Sequence, residues 1–235
     1  MSNDDIMRRF GMIAEQKKPV RLINTYRGIP ISYDAKVITI SQGYVALNVH
    51  EYQAVCMTLE GKTYAQSDLL PEVLQARAVA VDVMTKQAIL TEFEGVGHSV
   101  GKRMAVRVQP KEPADVEIYD GQRRIPGKLA DISTIGLGVF TFATYIYGDL
   151  SFEKNADVVV DVRMPLTDEI LRFPGKVTSV AHQKGTFLHR LGVRLFPTPE
   201  NEKRLQEYVF QRQDEVLHEL NAIYQTMIQD KEKKS

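Results

Sequence analysis

Cysteine is almost absent. The single thiol in 235 residues, Cys56, excludes an internal disulfide and any metal site built on paired Cys-x-x-Cys ligands. That usage fits a reducing cytoplasm. Net charge is absent too, since 30 basic side chains balance 30 acidic ones. The chain therefore lacks the basic excess of a nucleic-acid or acidic-membrane binder, although a local basic patch survives such a sum. No apolar run reaches the roughly 18 residues that span a bilayer. The opening, Met1-Ser-Asn-Asp-Asp5, has no apolar signal-peptide core. These features lead to the expectation of a soluble, cytoplasmic protein with no membrane insertion and no polymeric nucleic-acid partner.

Catalytic signatures are missing as well. There is no Walker loop, no Gly-x-Ser-x-Gly and no Gly-x-Gly-x-x-Gly. The histidines His50, His98, His182, His189 and His218 show no metal-ligand spacing and read as surface or satisfied core residues. Nothing points to an enzyme, a resident cofactor or a metal.

What is present is a succession of short β-type segments, with 43% apolar and 26% charged residues, an ordinary globular balance. Residues 1–18 carry Ile6, Met7, Phe10 and Ile13 at roughly helical spacing before Lys17-Lys18-Pro19, which reads as a short amphipathic helix or a loose arm. From 19 to 94 come segments at 35–41, 44–49, 53–59, 76–83 and 87–93, with Glu60-Gly61-Lys62 as a tight turn. Their regular spacing suggests a barrel or sandwich, with Cys56 in the core of a strand. Gly95, Gly97 and Gly101 then break the pattern, and 95–102 reads as a hinge. A second set follows over 103–198, at 104–108, 114–119, 128–132, 138–142, 156–163, 173–180 and 188–195. The stretch Lys36-Val-Ile-Thr39-Ile-Ser41-Gln-Gly43 echoes Lys128-Leu-Ala-Asp131-Ile-Ser133-Thr-Ile-Gly136, with the glycine one place out of register. That echo suggests a duplicated fold.

Thr198-Pro199-Glu200 is a helix start, with a capping hydroxyl, proline at the first helical position and acid at the positive end of the dipole. In the helix over 199–235, Val209, Val216, Leu220, Ile223 and Met227 form a coiled-coil-like seam. The seam packs either on its own domain or against a second copy or partner.

The polar residues most able to hold a ligand surround the hinge. Arg103 and Arg107, preceded by Lys102, lie four apart. Guanidinium forks grip phosphate bidentately and match the O6 and N7 edge of guanine. Asp131 and Ser133 alternate at a strand end, where the carboxylate can accept from guanine N1–H and N2–H₂ and the hydroxyl can serve a phosphate or the turn itself. Gly136 lets backbone approach a ligand closely. Each piece alone has an ordinary surface or turn reading. Their order, Arg103-x-x-x-Arg107, then Asp131-x-Ser133-x-x-Gly136, then Arg190-Leu-Gly192-Val-Arg194-Leu195, resembles the PilZ domain family over about 97–198, with Leu195 where phenylalanine is usual.

That resemblance implies a six-stranded antiparallel barrel followed by a helix, and cyclic di-GMP as the ligand. Arg103 and Arg107 would hold the phosphates and guanine edges, and Asp131, Ser133 and Gly136 a guanine on the barrel surface. Lys102 stands where family members vary and is a candidate for setting stoichiometry. The first half looks like the PilZ-like partner domain of two-domain members such as the flagellar brake proteins. It has neither motif, so no nucleotide site is assigned to it. The expected fold is mainly β, with two small antiparallel barrels and a long C-terminal helix. The expected function is a cyclic di-GMP receptor acting on a protein partner such as a flagellar motor, an enzyme or a secretion component. The alternative is a PilZ-fold interaction or homodimerisation module working through the C-terminal helix.

Overall fold

A computed structural model describes residues 2–96, 105–142, 154–182 and 188–233. The chain divides into two compact units, residues 1–104 with 215–235 and residues 105–214.

The first unit opens on a helix, α1 (Asn3–Glu15). The Ser2 hydroxyl accepts the Asp5 amide at 3.2 Å, and Asp4 and Asp5 occupy the positive end of the dipole. Ile6, Phe10 and Ile13 are all buried. Phe10 meets Phe93 with ring centroids 5.0 Å apart. Of the two readings of this segment, the helix is the one the structure adopts.

Six strands follow: β1 (Val20–Tyr26), β2 (Ile29–Ser41), β3 (Tyr44–Asn48), β4 (Lys62–Gln66), β5 (Leu74–Asp82) and β6 (Gln87–Gly95). They close into an antiparallel barrel in the order β1-β2-β3-β6-β5-β4. Val20, Leu22 and Asn24 alternate inward along β1. Asn24 is satisfied inside the barrel, donating to the Lys62 carbonyl at 2.9 Å and accepting from the Thr63 hydroxyl at 2.9 Å.

One expected strand is a helix. Residues 53–59 lie within α2 (Glu51–Glu60). A short, continuously apolar run carries no period by which to tell the two apart, so the ends decide. His50 Nδ1 accepts the Tyr52 amide at 3.2 Å. Gly61 takes φ 68° and returns its amide to the Met57 carbonyl at 2.9 Å, a left-handed helix end that favours glycine. The expected turn at 60–62 is this cap, and β4, absent from the sequence reading, starts directly after it. Gln53 pins the helix to β1 by donating to the Leu22 carbonyl at 2.6 Å. Cys56 is thus a helix-core residue, and burial pushes its thiol up to about 12.

The second unit holds β7 (Asp115–Tyr119), β8 (Arg124–Ser133), β9 (Gly136–Phe142), β10 (Asp157–Arg163), β11 (Ile170–His182) and β12 (Leu188–Leu195). These close in the order β7-β8-β9-β12-β11-β10, the connectivity of the first barrel strand for strand. The register agrees in detail. A bulge interrupts β2 against β3 between Val37 and Thr39, and another interrupts β8 against β9 between Leu129 and Asp131. A second pair of bulges lies at 78–80 in β5 and 177–179 in β11. Lys36, Thr39 and Ser41 therefore correspond to Lys128, Asp131 and Ser133, and Tyr44 to Gly136. The weak internal echo is a true duplication, and the displaced glycine is Gly43, which serves the turn at φ 84° instead.

The last helix, α3, runs over Pro199–Glu232. Thr198 caps it, its hydroxyl accepting the Asn201 amide at 3.3 Å. The buried stripe is Leu205, Tyr208, Val209, Arg212, Val216, Leu220 and Tyr224, so part of the expected seam is covered within the chain. Between Val209 and Val216 the inward position falls on Arg212, which donates from Nε to the Gln109 carbonyl at 3.0 Å. An arginine buries its stem when its head finds an acceptor, a case that hydrophobic patterning overlooks.

Candidate functional site

The site begins with a phase change. Along β9, Leu137, Val139 and Thr141 are buried in the barrel, so Gly136, Gly138 and Phe140 face outward. On β8, Leu129 is opposite Val139, but Asp131 is opposite Gly138. Ala130 is the extra residue of the bulge. Without it Asp131 would share the inward phase of Leu129. With it, the carboxylate turns to the outer face while Ile132 returns to the core opposite Leu137. Bulges commonly re-aim a functional side chain in this way.

Among the described residues, two arginines meet that carboxylate. Upstream of β7, Val108 exchanges backbone hydrogen bonds with Ile132 at 2.8 and 3.0 Å. This bridge seats Arg107 beside Asp131, and Arg107 Nη1 donates to Asp131 Oδ1 at 3.2 Å. From β12, Arg190 Nη2 donates to Asp131 Oδ2. Asp131 is only 7% exposed, a degree of burial that a carboxylate tolerates when it is paired and hydrogen-bonded. The floor below is bare backbone, with Gly138 of β9 directly opposite Gly192 of β12. A Cβ on Gly138 would lie 3.0 Å from both Arg190 Nη2 and Asp131 Oδ2, so the pair lies flat on the sheet only over glycine.

Ser133 and Gly136 complete the β8–β9 turn. The Ser133 hydroxyl, 1% exposed, donates to the Gly136 carbonyl at 2.9 Å. Its proton is engaged by the turn, which leaves the hydroxyl oxygen as its remaining polar resource. Gly136 is required by close approach, since a Cβ there would stand 2.7 Å from the Val193 carbonyl oxygen. The structure therefore brings Arg107, Asp131, Ser133 and Gly136 to one edge of the second barrel. Lys102 and Arg103, like His98 in the expected hinge, lie outside the described residues.

Sequence reading placed Arg190 in the closing strand but not in the site. A signal was available: Leu191 and Val193 are buried, so Arg190 and Gly192 between and beside them must face outward. What the sequence could not convey is the closure that carries Arg190 to a partner 59 residues away.

The first barrel supplies a control. At the corresponding register positions Thr39 replaces Asp131, Gln87 replaces Arg190, Ala46 replaces Gly138, Ile89 replaces Gly192 and Tyr44 replaces Gly136. The carboxylate, its cation and the glycine floor are all gone. Tyr44 and Ile89 instead stand 47% and 38% exposed on that face.

The chain thus carries a duplicated six-strand barrel fold, one copy of which presents an arginine-flanked carboxylate on a glycine floor. Residues 101–211 match the PilZ domain family, and the second barrel of this chain is a PilZ domain. No curated protein matches the sequence. Among solved structures, Escherichia coli YcgR in complex with c-di-GMP is 13% identical, with 94% of this chain and 95% of that chain covered and a TM-score of 0.46. The Bacillus subtilis inhibitor of motility MotI/DgrA is 15% identical, covering 83% and 95% at 0.43. The K. pneumonia MrkH–c-di-GMP complex is 12% identical, covering 93% and 97% at 0.43.

Proposed function

We propose that this protein is a receptor for cyclic di-GMP. The observation that carries the reading is the outward Asp131 carboxylate, flanked by Arg107 and Arg190 over the Gly138–Gly192 floor of a PilZ domain. A carboxylate accepts what the guanine Watson–Crick edge donates, and guanidinium forks donate to phosphate oxygens. Arg103 and Lys102, adjacent in sequence to this edge, are assigned to the phosphates and to stoichiometry, and Ser133 and Gly136 to the guanine side. The segment that bears Arg103 joins the two units in sequence, so closing it on a ligand changes their arrangement. That change is the signal read by a protein partner in the cytoplasm, of the motility, biofilm, enzyme or secretion kind. A ligand shifts such an equilibrium only by its differential affinity for the two arrangements. The alternative, a module that dimerises through α3, is disfavoured because Val209, Val216 and Leu220 are buried within the chain.

Titration calorimetry with cyclic di-GMP tests the reading. Wild type should bind, and Arg103→Ala and Arg107→Ala should each weaken binding by about 30-fold or more, the scale of a lost charge-assisted contact. Small-angle scattering should change on saturation. Absence of heat with wild type overturns the proposal.

A further inference from the structure

The two arginines on Asp131 are anchored differently. Arg190 sits in β12, which is paired on one side with β9 and on the other with β11, opposite Phe140 and Ala181 respectively. Arg107 lies outside the named strands, and its segment meets the barrel through the isolated Val108–Ile132 bridge and, at Gln109, through Arg212. A carboxylate has about four lone-pair sites, and here one oxygen serves each guanidinium. With the Asp131 side chain only 10% exposed, an incoming guanine reaches it only if one arginine leaves. The anchoring decides which one: Arg107 can exchange the carboxylate for a phosphate, whereas Arg190 stays.

Charge leads to the same assignment. A cyclic dinucleotide carries two phosphodiester charges, and an unpaired Asp131 would repel it. Arg190 cancels the charge of Asp131 and leaves Arg107 as surplus positive charge for the ligand. Pairing through Oδ2 also fixes the carboxylate plane, so that Oδ1 is presented at one angle to a donor edge.

Resting on the cyclic di-GMP reading, we propose that Arg190 is the positioning residue for guanine selectivity. It retains Asp131 through Oδ2 while Arg107 releases Oδ1, so that the guanine N1–H and N2–H₂ donors replace the Arg107 guanidinium. Arg190 acts through Asp131, and the first barrel, with Gln87 and Thr39 at these positions, has neither member of the device.

The experiment compares cyclic di-GMP with its inosine analogue, which lacks the N2 amine, by calorimetry on the full chain. Wild type should prefer the guanine ligand by about tenfold or more, the worth of one hydrogen bond to a charged acceptor. Arg190→Gln should bring that preference close to unity, and Arg190→Lys, which keeps the charge but loses the planar fork, should fall between. In an Asp131→Asn background, Arg190→Gln should change the preference no further. A merely structural role would lower the affinity for both ligands equally. If wild type discriminates and either Arg190 variant keeps the full preference, or Arg190→Gln acts independently of Asp131, this inference is overturned while the receptor reading stands. If wild type binds neither ligand, both are overturned. Should Arg190→Gln fail to fold, Arg190→Lys decides the matter alone.

Discussion

At the scale of single residues, two glycines of strand β9 do different work. A Cβ at Gly136 meets backbone, 2.7 Å from the Val193 carbonyl oxygen, whereas a Cβ at Gly138 meets only side-chain ends, 3.0 Å from Arg190 Nη2 and Asp131 Oδ2. Backbone in a hydrogen-bonded sheet cannot give way cheaply, and overpacking of this kind costs about 1–3 kcal/mol. Gly136→Ala is therefore expected to lower folding stability by that amount in urea denaturation. Gly138→Ala should leave the midpoint nearly unchanged and weaken cyclic di-GMP binding, because the arginine–carboxylate pair is displaced rather than the strand. Equal effects of the two variants on stability would contradict this division.

At the scale of elements, α1 and α2 show how the first barrel is finished. The α1 stripe of Ile6, Phe10 and Ile13 is buried, and Phe10 is wholly inaccessible. Truncating such an aromatic removes its transfer energy and leaves a cavity, together worth about 3–5 kcal/mol. Phe10→Ala should lower the stability of the first unit by that amount in chemical denaturation, a loss that an unattached arm would not produce. The helix α2 depends on local ends instead. Its apolar run 54–57 would suit a strand or a helix, and the His50 cap with the left-handed Gly61 selects the helix.

At the scale of the whole molecule, each unit contains, among the described residues, one histidine whose charged form is disfavoured. Burial lowers the pKa of His50, assisted by Lys86 and opposed by Glu51, and burial with the neighbouring His182 lowers that of His189. Nδ1 of His50 must stay unprotonated to accept the Tyr52 amide. A depressed folded pKa means that the unfolded chain binds protons first. The stabilising contribution is thus complete above the unfolded histidine value of about 6.5 and is lost as pH falls through the lowered folded values. The thermal midpoint should decline from pH 7.5 to 5. His50→Asn, which retains a capping acceptor but does not titrate, should flatten part of that decline. An unchanged pH profile in this variant would refute the assignment.

How far the sequence reached depended on whether a feature is local or closes across the chain. Strand alternation, the Thr198 cap, the amphipathic α1 and the order Arg107, Asp131, Ser133, Gly136 are written in neighbouring residues, so two β-rich domains, a terminal helix and the polar set of the site were legible. The duplication was visible only faintly, because Thr39 and Tyr44 have replaced Asp131 and Gly136 and the common register resides in bulges rather than in side chains. Tertiary structure alone decided the rest. Whether an apolar run beside Cys56 becomes a strand or a helix depends on what it packs against. Whether Asp131 faces the core or the outside depends on the one extra residue of the bulge. Arg190 joins Asp131 only because the barrel closes β12 onto β9, and a contact across 59 residues has no periodicity for a sequence to display.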